Sequence, residues 1–328
     1  MIANVSGNYS LNLSALNTYS KTEKIGDVVL TILYTCVIIF GITGNSLVIA
    51  IVYRKKAMQT TTNYLLVNLA ITDILTLLGA SQSQVFRLAY THPGGRVGDY
   101  LCKFITGGTI VTIALTVATF NLALIAIERH NALIIPLNET IRLKEENVIR
   151  PIAAFWIVSI LLSVIPFMKA GFSESQGKCV DVWDIDLAYN NREFVFAMVI
   201  LKGIIPYIII LYCYTKIIRD LFFSKSICSA NVCEEDFKRK RRIAKLLISV
   251  TVAFYCCYLP YALLVMYVAA MDPRTLTSQR ETLRTLQIAA RFLLYFESCL
   301  NPVIYPFHST NFRRELKNML PKITSGRL

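Results

Sequence analysis

Along this chain, long apolar runs alternate with short polar connectors, and seven such runs can be counted, at 28–53, 62–89, 101–130, 148–168, 194–218, 243–270 and 285–307. Each is long enough to cross a hydrocarbon layer, which takes roughly 20 residues of helix. A backbone inside lipid must satisfy its own hydrogen bonds, so each run is expected to be a helix. The whole then reads as an all-α membrane protein, a seven-helix bundle. The runs leave no room for a second domain, and no internal repeat of the kind that marks many transporters is visible.

Composition agrees: 55% of the 328 residues are hydrophobic and 17% charged, with a mean hydropathy of +0.51. A net charge of +13 raises the question of nucleic acid, but the basic residues gather at alternate ends of the runs. Arg54, Lys55 and Lys56 follow the first run, and Arg142, Lys144 and Arg150 lie between the third and fourth. Lys238 to Arg242 and Lys245 mark the start of the sixth, and Arg313, Arg314 and Lys317 follow the seventh. By the positive-inside rule those ends are cytoplasmic and the N-terminus is outside. No nucleic-acid partner is expected. An outside head of residues 1–27 should then carry glycans, and Asn4, Asn8 and Asn12 each open an Asn-X-Ser sequon there. Met1 to Ser10 lacks an apolar core of the signal-peptide type, so the first run is expected to act as the insertion signal.

Nine cysteines divide by place. Cys102 opens the third run and Cys179 precedes the fifth, both on the expected outer side, where an oxidising exterior lets such a pair close a disulfide. Cys36, Cys213, Cys256, Cys257 and Cys299 lie within runs, and Cys228 and Cys233 on the cytoplasmic side, where small buried or reduced thiols are the plain reading. With three histidines, none paired helically, no cysteine–histidine metal centre is expected.

Polar residues inside lipid are costly and usually functional. Here they are Asn45, Asp73, Asn121, Lys202, Arg291, Glu297 and Asn301, with Glu128 and Arg129 at the inner end of the third run. A mid-membrane carboxylate such as Asp73 must be protonated, paired or ion-bound, so an interhelical hydrogen-bond network and a cation site both stand open.

Taken in order, these residues resemble the rhodopsin-like (class A) G-protein-coupled receptors, over nearly the whole chain and most like the neuropeptide-receptor branches. Carrying the likeness are Gly44-Asn45, Leu69 to Asp73, Glu128-Arg129-His130, Trp156, Pro206 with Tyr214, Phe254, Cys257 to Pro260, and Asn301 to Tyr305 followed by Phe312. The resemblance implies a seven-helix domain over 28–307, then a short amphipathic eighth helix and cytoplasmic tail over 308–328. It implies a multi-pass protein of the plasma membrane, not an enzyme, that binds an extracellular peptide or small-molecule agonist and activates heterotrimeric G proteins, with arrestin and membrane lipids as further partners. It also implies that Cys102 and Cys179 are bonded. Arg129, flanked by Glu128, would be the cytoplasmic latch, toward which Tyr214 and Tyr305 swing on activation. Phe254, Tyr258, Pro260 and Pro302 would be further switch positions, with Pro260 kinking the sixth helix as it opens. Asp73, with Asn45, Ser298, Asn301 and Glu297, would form a sodium site that steadies the resting state; no other cofactor is implied.

The chain departs from the family pattern at several points. His130 stands for the usual tyrosine and Tyr258 for the usual tryptophan, Cys102 lies about two residues farther from Arg129 than usual, and Lys240 is basic near a place where some members carry an acid. No cysteine follows Phe312 to carry a palmitoyl anchor. For the ligand, the outer bundle offers Gln82, Gln84, Arg87, Lys202 and Arg291. Snorkelling to headgroups is the plain reading of these cations, and a pocket for an anionic group is the alternative. Glu174, Asp181, Asp184 and Asp186 around Cys179 form an acidic rim that could steer a basic peptide. A neuropeptide ligand is favoured on this pattern; a small anionic or lipid ligand and, from another class, a membrane transporter are the alternatives.

Overall fold

The structure, a computed structural model, describes residues 6–89, 92–135, 142–175, 177–181, 183–220 and 231–324, with only the backbone course given at the head of the first helix, the outer end of the second, the stretches 231–237 and 320–324, and positions 178, 186, 239 and 311. In chain order the elements are α1 (Ser6–Arg54), α2 (Thr61–Ala89), α3 (Gly95–Leu101), α4 (Thr109–Ile134), α5 (Ile149–Leu162), α6 (Val164–Lys169), the hairpin β1 (Gly171–Ser173) and β2 (Lys178–Val180), α7 (Ile185–Asn190), α8 (Arg192–Val199), α9 (Ile205–Ile218), α10 (Asn231–Ala270), α11 (Pro273–Ser278), α12 (Arg280–His308) and α13 (Thr310–Thr324). Six membrane-length apolar helical segments occur among the described residues: Val28–Arg54, Thr61–Ser81, Gly95–Ile134, Glu145–Lys169, Arg192–Ile218 and Lys240–Ala270. The seventh crossing is α12, whose charged residues Arg280, Glu281, Arg284, Arg291 and Glu297 dilute its apolar character.

Several expected spans are interrupted, and each interruption has a local cause. Pro166 has no N–H for the carbonyl of Leu162, four residues back, and its ring crowds that carbonyl; the fourth span accordingly breaks at Ser163, between α5 and α6. Pro206 likewise withholds an N–H from Lys202. Just before it, residues Ile200–Ile204 form a π turn joining α8 to α9. In the third span a π turn over Cys102–Thr106 is followed by Gly107 and Gly108, the latter at φ +73°, a left-handed conformation that side chains disfavour. This break takes up the longer spacing between Cys102 and Arg129. Two helices also begin earlier than the pattern suggests: α1 at Ser6 rather than 28, and α10 at Asn231 rather than 243.

The packing is that of a bundle in an apolar solvent. An inner-half core gathers Leu65, Leu69, Leu122, Ile125, Ile217, Leu247, Phe254 and Tyr305 from five helices. An outer cluster joins α7 and α8 to α10 and α12 through Ile185, Ala188, Val195, Val265, Ala269 and Leu283. Large apolar side chains such as Phe40, Leu161, Ile208, Leu211 and Leu263 face outward, a belt that would be a liability in water and is natural against lipid. Where α1 meets α12, a Cβ on Gly44 would lie 2.7 Å from Pro302 Cγ, so only glycine permits the approach. That closeness matters, because Pro302 also leaves the Ser298 carbonyl without its helical donor, and Asn45 Nδ2 supplies the replacement at 2.7 Å.

Candidate functional site

Three layers of polar structure are stacked through the bundle. At the outer end, β1 and β2 pair antiparallel with Phe172 opposite Cys179, and Cys179 is disulfide-bonded to Cys102 with 5.4 Å between their Cα atoms. The hairpin roofs a cavity of about 100 Å³ lined by α2, α4, α8, the π turn after α8, α10 and α12, with Lys202, Tyr258, Tyr261, Arg291, Trp183 and Asp181 on its wall. That is room for several waters or one terminal group of a ligand.

Lys202, set within the π turn, is 6% exposed, and its Nζ is buried without a hydrogen-bond partner. It therefore does not snorkel. Arg291 is partnered on the cavity wall: its Nη2 lies 3.5 Å from Asp181 Oδ2 and its guanidinium sits 5.9 Å from the Tyr261 ring centroid. The acidic rim is correspondingly less free than the sequence suggests. Asp181 is engaged by Arg291, and Glu174 Oε1 accepts from the Gly95 N–H at 3.2 Å. Gln287 Nε2, which sequence reasoning missed, donates to the Trp183 carbonyl at 2.8 Å and fastens the same roof to α12. The side chains of Gln82, Gln84 and Arg87 lie outside the described residues, as do Asn4 and the side chains of Asn8 and Asn12.

In the middle layer, Asp73 and Glu297 are each 2% exposed and share one donor: Asn301 Nδ2 lies 2.8 Å from Asp73 Oδ2 and 3.2 Å from Glu297 Oε1. Asn45 Oδ1 and Asn301 Oδ1 are buried without partners, and the Ser298 hydroxyl approaches Asp73 without closing a standard hydrogen bond. Among the described residues neither carboxylate is paired with a cationic side chain, and no cluster of three or more His, Cys, Asp or Glu occurs. Two carboxylates and several unsatisfied amide and hydroxyl oxygens make an all-oxygen donor set of the kind a hard cation takes. The residues named from the sequence thus converge, and they fit sodium.

At the inner end, Glu128 and Arg129 form a two-pronged ion pair on α4. Tyr214 on α9 donates to, or accepts from, Thr251 Oγ1 at 3.0 Å and donates to the Leu247 carbonyl at 3.3 Å, tying α9 to α10. Ser249 Oγ and His308 Nε2, 3.3 Å apart, tie α10 to α12, a contact no sequence motif announced. Lys240 is exposed. Between the middle and outer layers, Phe254 stacks on Tyr258 with 5.7 Å between centroids. Tyr258 also lines the outer cavity, so this pair is a continuous aromatic contact from cavity floor to core. Tyr305 is fully buried and packs against Phe312 of α13, with its hydroxyl unpartnered.

Comparison with known proteins is consistent with this layered arrangement. The allatostatin-A receptor of Bombyx mori is 28% identical over 305 residues, covering 91% of this chain and 81% of the relative. Galanin receptor 2a of Danio rerio is 24% identical over 307 residues, covering 93% and 81%. Somatostatin receptor type 2 of Mus musculus is 28% identical over 330 residues, covering 96% and 85%. Each is a receptor rather than an enzyme. The seven-transmembrane receptor (rhodopsin family) model matches residues 44–305, most of the chain and every layer of the site from Asn45 to Tyr305, and the chain therefore belongs to that family.

Proposed function

We propose that this receptor binds an extracellular peptide in its outer cavity and activates heterotrimeric G proteins by outward movement of the inner half of α10. The observation that carries the proposal is the cavity itself, roofed by a disulfide-anchored hairpin and floored by Tyr258, which passes contact directly to Phe254 in the core. The relatives, receptors for peptides, support the ligand class. In this reading the 1–27 head is extracellular and glycosylated at Asn4, Asn8 and Asn12, the protein sits in the plasma membrane, and α13 lies on the cytoplasmic face, where G protein and then arrestin dock.

The resting state is held by short-range contacts. Glu128 occupies Arg129, the Tyr214 hydroxyl holds α10 through Thr251 and Leu247, and Ser249 meets His308. Sodium, held by Asp73 and Glu297 with the oxygens of Asn45, Ser298 and Asn301, would neutralise the middle layer in this state. A ligand shifts the balance only by binding the open state more tightly. Pressure on Tyr258 moves the Phe254 contact, and α10 swings about Pro260, whose missing N–H leaves the helix softer there. Tyr214 and Tyr305 are then free to approach Arg129.

A small anionic or lipid ligand is the second reading, favoured by one observation, the unpaired Lys202 ammonium. The experiment is nucleotide exchange on purified heterotrimeric G protein with the receptor in nanodiscs, screened against peptide, carboxylate and lipid libraries. Peptide-dependent exchange is the expected outcome. Exchange driven by lipids alone would establish the second reading instead.

A further inference from the structure

Among the described residues, Lys202 is the cation that the fold buries without a partner. An unpaired ammonium inside a protein within lipid is costly, and ordinarily the cost is avoided by snorkelling or by an ion pair. Neither happens. The π turn ahead of Pro206 sets Lys202 on the wall of the cavity that Thr116, Met198 and Tyr258 also line. The single acid among the described lining residues is Asp181, and it already meets Arg291 at 3.5 Å. The three threonine hydroxyls of α4 that face the cavity, Thr112, Thr116 and Thr119, donate to carbonyls of their own helix.

We propose that Lys202 is an anion subsite that receives one carboxylate of the ligand, and that Arg291 is no part of that subsite but a strap holding the outer hairpin through Asp181. The proposal deepens the peptide-receptor reading and rests on it for the remainder of the ligand. Charge decides the chemical class. A carboxylate brings the single negative charge that one ammonium cancels, whereas a phosphate would leave excess charge in a mostly apolar cavity whose other described lining cation, Arg291, is already engaged by Asp181. Lysine presents a compact point charge on a flexible stem, so it demands a charge without imposing the bidentate geometry of arginine's planar fork. The carboxylate can come from a peptide C-terminus, an acidic side chain or a fatty acid, and the binding chemistry at Lys202 is the same for each.

Thermal unfolding of the full-length receptor in nanodiscs tests this with defined probes: short N-acylated peptides ending in an apolar residue, each as free acid and as amide, and decanoate. Wild type is expected to show an acid-over-amide preference of about tenfold in half-stabilising concentration, and Lys202→Met to lose it. Ligand-free Lys202→Met is expected to melt above wild type, because an apolar chain of similar length replaces an uncompensated charge. Arg291→Gln should melt below wild type yet keep the acid preference, which separates strap from subsite. Absence of an acid preference in wild type overturns the proposal. So does a lower melting point for ligand-free Lys202→Met, which would mean that the ammonium has a partner within the protein. The two readings fail separately. If decanoate but no peptide acid stabilises wild type in a Lys202-dependent way, the subsite stands and the peptide reading falls. If an amidated peptide drives nucleotide exchange equally in wild type and Lys202→Met, the peptide reading stands and the subsite falls.

Discussion

Asn301 binds two carboxylates with one amide group and leaves its own carbonyl oxygen bare. The residues of this layer were all legible in the sequence, because each polar side chain in an apolar run stands out against its neighbours. The sharing was not, since it depends on Glu297 lying one helical turn before Asn301 while α2 presents Asp73 from across the bundle. Two carboxylates served by one donor cannot both remain charged without a cation nearby. Asp73→Asn is therefore expected to abolish any sodium dependence of agonist affinity while preserving surface expression, as read by agonist competition in sodium against a large organic cation. Sodium-independent affinity in the wild type would remove the ion site and leave a hydrogen-bond network. The Arg291–Asp181 pairing escaped the sequence for a related reason. A cation in an apolar run announces a need for a partner but not which one, and its acid, Asp181, lies about a hundred residues earlier in a loop whose course no periodicity predicts.

At the scale of elements, the apolar runs placed all seven crossings, but their internal breaks followed from single residues. Pro166 and Pro206 were visible, and the bends they cause could have been read from them; the Cys102–Thr106 π turn was announced only by the longer spacing from Cys102 to Arg129. The outer hairpin is only three residues per strand and carries little stability of its own. It is held in place by the Cys102–Cys179 bond, by Arg291–Asp181 and by Gln287. Cys179→Ala is expected to cost the roughly 2–5 kcal/mol typical of a native disulfide, seen as a lower melting temperature and reduced surface expression. At the other face, Glu315 of α13 meets Lys55, just past the end of α1, at 3.1 Å. That hydrogen bond and charge hold the Glu315 carboxyl below its ordinary 4.5, so the contact is fully present above that value and is lost as pH falls through the lowered one. Amide exchange of α13 should thus quicken in acid in the wild type, and Lys55→Met should show the quicker exchange already at neutral pH.

For the whole molecule, the question is how closely the resting and open states are balanced. Arg242 lines the same inner-end cleft as Arg129, next to the exposed Lys240, and the ties described there include the ion pair within α4 and neutral hydrogen bonds made by α10. Each such contact at a partly wet helix end is worth about 1 kcal/mol, and a change of that size alters a minor population several-fold. Ligand-independent nucleotide exchange is therefore expected, raised by Glu128→Gln and by Ser249→Ala and lowered by Lys240→Glu. Basal exchange equal to that of receptor-free membranes, with no response to these three changes, would mean that the inner end is locked by packing instead.

The break at Gly107 and Gly108 has a mechanical consequence. A continuous helix behaves as a shaft, because its hydrogen-bond ladder carries torque from one end to the other. Here the ladder changes register over Cys102–Thr106 and is then interrupted by a left-handed glycine, so the stub that bears the disulfide and the shaft that bears Glu128 and Arg129 are joined by a swivel. In the proposed mechanism, twisting of the hairpin roof as a ligand enters would be absorbed at that joint. The third crossing would then be a fixed post, and rotation would reach the inner end through α10, whose α-helical ladder runs from the cavity floor to that end with only the Pro260 vacancy in it.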